Sequence, residues 1–150
     1  MKEILGIDVG MSGALSFYNG KSLETYDMPT VKRNKTNRID AIQLFEIINS
    51  HAVDHAFIEQ VNAFNMGRTS AYNFGYGCGV IEGIICALKI PHTFITPQQW
   101  KKAMSCPRDK DGARARASQL LPEHAHIWPL KKHDGRAESA LIALYGFQNT

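Results

Sequence analysis

The pattern of apolar and polar positions along the chain predicts a mixed α/β fold. Short apolar runs are typical of strands, whereas apolar residues recurring every three or four positions are typical of helices. Three hairpin-joined strands, followed by strands that return through helices, predict a five-stranded mixed sheet, first antiparallel and then parallel, flanked by helices. The predicted strands span about 3–9, 13–19, 22–27, 55–60 and 91–95, the helices about 39–50, 69–88, 97–104, 112–121 and 133–147, and surface loops 29–38 and 122–129.

The first predicted strand carries one acid, Asp8, inside the apolar run Ile4–Val9, and glycines follow at Gly10 and Gly13. An aspartate in such a run is costly to desolvate unless a positive charge meets it. Glycines let the backbone turn tightly and approach a ligand closely. The pattern favours a metal or phosphate site, the alternative being an ordinary strand-end aspartate beside a turn.

Three further acids extend this candidate site. Glu59 ends the fourth strand, and Asp134 and Glu138 lie four residues apart on the face of the last helix that carries Leu141. If the first and fourth strands are neighbours, Asp8 and Glu59 lie side by side, and the last helix can complete a four-carboxylate cluster. Such oxygen ligands indicate Mg²⁺, with Mn²⁺ as a substitute, and two ions about 3.5–4 Å apart suit phosphodiester hydrolysis. Taken singly, Asp134 could instead cap the helix, and Glu138 could be solvated.

The long helix predicted over 69–88 contains a stripe of glycines, Gly75, Gly79 and Gly83. Each glycine in a helix costs about 1 kcal/mol relative to alanine, so the stripe indicates close packing, either within the subunit or across a dimer axis. Glu82 on the same helix is a reserve metal ligand, and surface exposure or a helix contact is its alternative.

Composition restricts the class of protein. The 150 residues, 44% hydrophobic and 21% charged, fit one globular domain over 1–150. No apolar run approaches the roughly 20 residues of a membrane span, so we expect neither a membrane partner nor a signal peptide. Three widely spaced cysteines match neither a disulfide framework nor a zinc site, which favours a reducing cytoplasm.

Basic residues are concentrated in two segments of a chain whose net charge is only +3. Residues 32–38 hold four bases and no acid, and residues 101–136 hold nine bases, Lys110 among them, against four acids. Such segments indicate an anionic partner, most simply nucleic acid. The alternative is that they are solvated faces.

Four blocks of sequence stand out together: Ile7–Ala14, Phe57–Val61, Thr96–Lys102 and His133–Ala143. Their order and spacing resemble those of the RuvC family of Holliday-junction resolvases, especially its phage-type and related bacterial members. The resemblance implies a ribonuclease-H-like fold, a homodimer and Mg²⁺-dependent nicking of two opposed strands of a four-way DNA junction. It also implies a bacterial or phage-infected cell as the setting.

Carried over by position, the resemblance implies that the metal ligands are Asp8, Glu59, Asp134 and Glu138. The better-known bacterial members space the last two acidic positions three residues apart rather than four, and they usually end on Asp. The identity of the third ligand therefore stays open, with His133 as the alternative.

Basic and aromatic residues near these blocks are candidates for holding DNA. Lys131 and Lys132 adjoin the acids in sequence and are predicted to hold the scissile phosphate or to stabilise developing charge. Phe64 is a candidate for stacking on unpaired bases, with core packing as its alternative, and Arg136 is expected to meet the DNA backbone or solvent. The predicted DNA contacts are Lys32, Arg33, Lys35, Phe64, Arg68, Lys101, Lys102 and Arg136.

The sequence thus favours a metal-dependent, structure-selective endonuclease acting on four-way and other branched DNA, without a nucleotide cofactor. The alternative is a non-catalytic module that binds branched DNA through the same basic segments. A fragment of an actin-like kinase also opens with Ile-Asp-x-Gly, but such enzymes need a second lobe, and 150 residues are too few for one.

Overall fold

A computed structural model describes residues 1–109 and 111–150, so Lys110, counted in the second basic segment, lies outside the described residues. The strands are β1 Ile4–Asp8, β2 Ala14–Tyr18, β3 Leu23–Asp27, β4 Thr30–Arg33, β5 Thr36–Ile39, β6 His55–Glu59 and β7 His92–Ile95. The helices are α1 Ala41–Asn49, α2 Arg68–Ala87, α3 Pro97–Ala103, α4 Gly112–Leu120 and α5 Asp134–Gln148. Among the described helices, none combines the length and the hydropathy needed to cross a bilayer.

The main sheet has the strand order β3-β2-β1-β6-β7. β1 pairs antiparallel with β2 and parallel with β6, and β6 pairs parallel with β7. β1 is therefore the central strand, which explains why all five of its residues are buried. The predicted five-stranded mixed sheet, antiparallel and then parallel, is confirmed.

Residues 29–38, predicted to be a surface loop, instead form most of a separate two-stranded hairpin of β4 and β5. The turn between these strands is Asn34-Lys35, and both residues have positive φ, 53° and 66°. Two positive-φ residues are the mark of a type I′ turn, whose twist matches that of a hairpin. The prediction was wrong because the strands are mostly exposed and carry basic residues, so they lack a buried apolar face.

The second predicted loop, 122–129, also contains local structure, a 3-10 helix at Pro122–Ile127. A further 3-10 turn, Lys131–His133, leads directly into α5. The predicted helices are otherwise found within about two residues of their expected ends.

Helices cover both faces of the main sheet. Helix α5 lies on the face toward which Gly6 and every second residue of β1 point. Gly6 makes this close approach possible, because a Cβ there would collide with the α5 backbone at Ser139 and Ala143. A hydrogen bond of 2.7 Å between the hydroxyls of Ser16 on β2 and Ser139 further ties the helix to the sheet. Since side chains alternate along a strand, Asp8 points to the same face as Gly6, the face covered by α5.

Candidate active site

The ends of the two central parallel strands carry the first two predicted acids. Ile7 of β1 is in register with Ile58 of β6, so Asp8 and Glu59, the next residues, lie at the same edge of the sheet. Both side chains are buried, at 9% and 6% exposed. The expected adjacency of the first and fourth predicted strands is therefore present.

The first turns of α5 bring a third carboxylate, Glu138, to this edge. One carboxylate oxygen from each of Asp8, Glu59 and Glu138 lies within 4.8 Å of the others. Gly135 lets the helix begin this close, because a Cβ there would lie 2.5 Å from the Ser12 carbonyl oxygen and 3.2 Å from Oδ2 of Asp8. We call these three carboxylates the acidic cluster.

Asp134 lies outside the group of three oxygens, although it neighbours the acidic cluster. It is the first residue of α5, and the N-cap position before it belongs to His133. Its Oδ1 atom is buried and has no hydrogen-bond partner among the described residues. An unpartnered buried carboxylate oxygen is costly, and the Asp134 charge is close enough to Glu138 to raise its pKa.

Like charges and burial dominate the electrostatics of the acidic cluster. Burial raises the pKa of Asp8 well above its ordinary value, and the carboxylates of Glu138 and Glu59 raise it further. Burial and then the Glu59 charge raise the pKa of Glu138, while the Lys101 ammonium opposes this shift. Three carboxylates this close are disfavoured as ions unless a cation joins them. The all-oxygen donor set and the free oxygen of Asp134 fit a divalent metal such as Mg²⁺.

Helix α3 supplies two groups to the acidic cluster that the sequence-based prediction did not place there. The indole nitrogen Nε1 of Trp100 donates a hydrogen bond of 2.9 Å to Oε2 of Glu59, and the Trp100 side chain is fully buried. The Lys101 ammonium lies 5.5 Å from the Trp100 ring centroid, and its charge is close enough to lower the pKa of Glu138. The sequence contains a signal for the helix but not for its contact with Glu59. Thr96 and Pro97 mark the start of a short helix whose first turn carries Trp100.

The two lysines adjoining the acids in sequence, Lys131 and Lys132, are exposed and lie on the 3-10 turn before α5. The Lys132 charge helps to lower the pKa of Asp27 on β3 and the pKa of His133. Lys132 lines a polar depression of about 330 Å³ that also includes Ser12, Asp27 and His133. The structure therefore brings Lys101, rather than either of these lysines, into range of Glu138, and the catalytic role of Lys131 and Lys132 stays a prediction.

Arg136 is held within the fold. Its guanidinium donates two hydrogen bonds to Asp27, of 2.8 and 2.9 Å, and a third of 2.9 Å to the Ile127 carbonyl oxygen. These bonds lower the pKa of Asp27 and fasten the start of α5 to β3. The predicted contact with DNA would have to use what remains exposed of this side chain.

The alternative ligands lie apart from the acidic cluster. Nδ1 of His133 accepts a hydrogen bond of 3.1 Å from the backbone N–H of Leu130, and Glu82 is exposed on α2. Among the described residues, neither joins the three clustered oxygens.

The remaining predicted DNA contacts lie at the surface. Phe64 is 90% exposed, so its alternative role in the core is excluded. The basic residues that are exposed are Lys32, Arg33, Lys35, Arg68 and Lys102, with Lys101 half-buried.

A five-stranded sheet of this order, with acids at the ends of its central parallel strands and an acid-bearing helix across it, defines a ribonuclease-H-like fold. No protein-family model matches the sequence, and no curated protein matches it closely enough to count as a relative.

Solved structures provide the comparison instead. The chain is similar to T. thermophilus RuvC in complex with a Holliday junction substrate, with TM-score 0.71, 16% identity and coverage of 99% of this chain and 95% of that one. It is also similar to the yeast mitochondrial Holliday junction resolvase Ydc2, with TM-score 0.60, 15% identity and coverage of 97% and 77%. The fowlpox virus resolvase, solved with Holliday junction DNA, gives TM-score 0.54, 13% identity and coverage of 98% and 97%. The chain therefore has the RuvC-like resolvase fold.

Proposed function

We propose that the protein is a Mg²⁺-dependent endonuclease that resolves four-way DNA junctions, and related branched DNA, by paired nicking. The convergence of the Asp8, Glu59 and Glu138 carboxylates within 4.8 Å carries the proposal. The RuvC-like fold supports it, because two of the similar structures contain Holliday junction DNA. We place this activity in one nuclease domain, residues 1–150, in the cytoplasm of a bacterium or a phage-infected cell.

The acidic cluster would hold the metal, with Asp134 as a fourth ligand through its unpartnered oxygen. Bound divalent ions, Mg²⁺ or Mn²⁺ and two per site, would activate water and stabilise the leaving oxygen of a phosphodiester. The chain's own groups have separate roles. The hydrogen bond from Trp100 orients Glu59, and the Lys101 ammonium is placed to hold a phosphate oxygen beside Glu138.

We further propose a homodimer that packs along α2. A Cβ added at Gly75, Gly79 or Gly83 would meet no atom of the described residues within 4 Å, and this supports packing of the glycine stripe against a second subunit. A two-fold dimer would present two acidic clusters to the symmetric strands of a four-way junction. Sedimentation of the wild type should give twice the chain mass of 16.7 kDa, and Gly79→Phe should shift it toward the monomer. Monomeric wild-type protein at micromolar concentration would contradict the dimer.

The proposed activity is tested with a four-way junction, a flap and a linear duplex built from shared strands, each strand end-labelled in turn. With Mg²⁺ we expect symmetric nicks in two opposed strands of the junction, little cutting of the duplex, and none with EDTA. Junction binding without cutting at any metal concentration would instead favour the non-catalytic module. Failure to bind the junction more tightly than the duplex would contradict both the proposed nuclease and the non-catalytic module.

A matched pair of variants links this activity to the acidic cluster. Glu138→Gln should lower the cleavage rate by roughly 100-fold or more, because it removes a metal ligand. Glu46→Gln, the same change at an exposed position on α1, should cut at the wild-type rate. Equal cleavage rates for the two variants would show that the activity does not depend on the acidic cluster.

A further inference from the structure

A cavity of about 650 Å³ lies along helix α3 and the loop that follows it. Three of its lining side chains are cations, and two more carry neutral hydrogen-bond donors. No acidic side chain is among the described residues that line it. We call it the basic cavity, and its polar lining residues are Gln98, Lys101, Lys102, Ser105 and Arg108.

Contacts within the fold hold the wall of the basic cavity in place. Ser105 has φ of +52°, a conformation that residues other than glycine rarely adopt. The next backbone N–H, that of Cys106, donates a hydrogen bond of 2.8 Å to the Lys101 carbonyl oxygen and so closes the end of α3. From α4, Nε of Arg116 donates a hydrogen bond of 2.6 Å to the Met104 carbonyl oxygen. The basic cavity is therefore built by two helices and the turn between them.

The basic cavity adjoins the acidic cluster. Trp100, whose indole donates to Glu59, directly precedes Lys101 of the cavity wall. The Lys101 ammonium acts on Glu138, whose pKa it opposes raising. Burial raises the pKa of the Cys106 thiol, another part of the wall, and the Glu138 carboxylate raises it further. A phosphate at the acidic cluster would thus lie on one side of Lys101, with the basic cavity on the other.

The positive charge of the basic cavity is not matched by the protein. Among the described residues, no carboxylate lies within 4 Å of Lys101, Lys102 or Arg108. Asp109 follows Arg108 in sequence but does not line the cavity. Three cations without an acid favour an anion that carries more than one negative charge. A phosphodiester carries one, whereas a phosphate monoester carries about 1.5 to 2 at pH 7.

The proposed reaction creates such a monoester. The oxygen of water forms a bond to phosphorus, the bond from phosphorus to the 3′-oxygen breaks, and the 3′-oxygen takes up a proton. The strand that keeps the phosphorus then ends in a 5′-phosphate, which has more negative charge than the bond that was cut. The carboxylates of the acidic cluster repel this added charge, whereas the cations across Lys101 attract it.

We propose that the basic cavity binds the terminal 5′-phosphate of a strand that has just been nicked. The volume of about 650 Å³ suits this ligand, because it lies in the range of about 300–1,000 Å³ for small-molecule pockets and can admit a terminal nucleotide. The proposal rests on the proposed function, since it assumes a nicked DNA product. It makes the basic cavity a device that retains a half-cut junction until the second strand is nicked.

Nicked four-way junctions test the proposal. One strand is interrupted at the mapped cleavage position and carries either a 5′-phosphate or a 5′-hydroxyl there. Affinity is measured by fluorescence anisotropy in EDTA, so that a bound metal does not contribute. We expect the wild type to bind the 5′-phosphate junction roughly 10-fold more tightly, since each exposed ion pair contributes up to about fivefold. The preference should shrink as the salt concentration rises.

Two double variants with the same loss of charge show where the phosphate binds. Lys102→Gln with Arg108→Gln removes two cations of the basic cavity, and the preference for the 5′-phosphate should fall below about twofold. Lys21→Gln with Lys89→Gln removes two exposed cations that do not line it, and the wild-type preference should remain. A general loss of DNA affinity cancels, because the two junctions differ only at the nick.

Four results would overturn the proposal. The wild type could bind both nicked junctions equally, or its preference could persist when Lys102 and Arg108 are replaced. That double variant could also weaken binding of both junctions by the same factor while the preference remains, which would assign the basic cavity to an internal phosphodiester. A free deoxynucleoside 5′-monophosphate could bind as tightly as the 5′-phosphate junction, which would assign it to a free nucleotide. Failure of the wild type to bind even an intact junction would contradict the proposed function itself.

Discussion

Replacing Asp8 by asparagine tests whether the acidic cluster is strained without a cation. The substitution removes one of three carboxylates whose oxygens lie within 4.8 Å of one another. At an effective dielectric constant of about 20, two unit charges at this distance repel by about 3.5 kcal/mol. Proton uptake already relieves part of this repulsion, because the pKa of Asp8 is raised by burial and by its neighbours.

We therefore expect Asp8→Asn to stabilise the metal-free protein by about 1–3 kcal/mol out of a total of about 5–15 kcal/mol. For a chain of this length that raises Tm by about 2–12 °C. A raised pKa means that the folded state binds protons more tightly than the unfolded chain. Wild-type stability in EDTA should accordingly fall as the pH rises from 3.8, the ordinary value, through the raised pKa. The fall should be shallower in the variant.

Calorimetry with EDTA and with Mn²⁺ provides the assay. At 100 times its dissociation constant, Mn²⁺ should stabilise the wild type by about 2.7 kcal/mol and should have little effect on Asp8→Asn. The difference between the two Tm values should therefore become smaller or change sign. Asp109→Asn, at an exposed position, should match the wild type in both conditions. Equal Tm values for wild type and Asp8→Asn in EDTA, with equal responses to Mn²⁺, would refute the reasoning.

Three other predictions concern the supports of the acidic cluster. Trp100→Phe should destabilise the protein to denaturant by about 1.5–3 kcal/mol, because it removes a buried hydrogen bond to a carboxylate, and should weaken Mn²⁺ binding by about 10-fold. Lys101→Ala should slow junction cleavage by at least about 10-fold with little change in stability, and Lys131→Ala should slow it less. The ion pair of Asp27 with Arg136 lowers the pKa of Asp27. Asp27→Asn should therefore lower the free energy of unfolding by up to about 1 kcal/mol at pH 7, and this loss should disappear as the pH falls from 3.8 through the lowered pKa.

A specific result would contradict each of these three predictions. An unchanged Mn²⁺ affinity in Trp100→Phe would mean that its hydrogen bond does not orient Glu59. A larger loss of activity in Lys131→Ala than in Lys101→Ala would restore the lysines before α5 as the catalytic pair. A penalty for Asp27→Asn that stays the same as the pH falls from 7 to well below 3.8, the ordinary pKa of Asp27, would show that packing, and not charge, holds the start of α5.

The fold and most of the acidic cluster could be predicted because burial leaves a strong pattern. β1 is buried on both faces, so an acid at its end stands out in the sequence, and Glu59 repeats that pattern on β6. The helical face that Asp134 and Glu138 share with Leu141 predicted that α5 turns both carboxylates toward the sheet. The packing of α5 against Gly6 places Glu138 at the same edge as Asp8, whereas Asp134 lies outside the group of three oxygens.

Groups that meet only through tertiary structure could not be predicted. Trp100 and Glu59 are 41 residues apart, and proximity in sequence favoured Lys131 over Lys101. The β4–β5 hairpin was missed because its strands bury little apolar surface and its turn, Asn34-Lys35, lacks the glycine that usually marks a type I′ turn.

The position of the bound metal tests the central claim most directly. Crystals of the protein soaked in Mn²⁺, measured at the manganese absorption edge, should give an anomalous peak about 2–2.3 Å from carboxylate oxygens of Asp8, Glu59 and Glu138. The same experiment on Asp8→Asn crystals should lose or weaken that peak. A wild-type crystal with Mn²⁺ bound elsewhere, and none among these three carboxylates, would contradict the account.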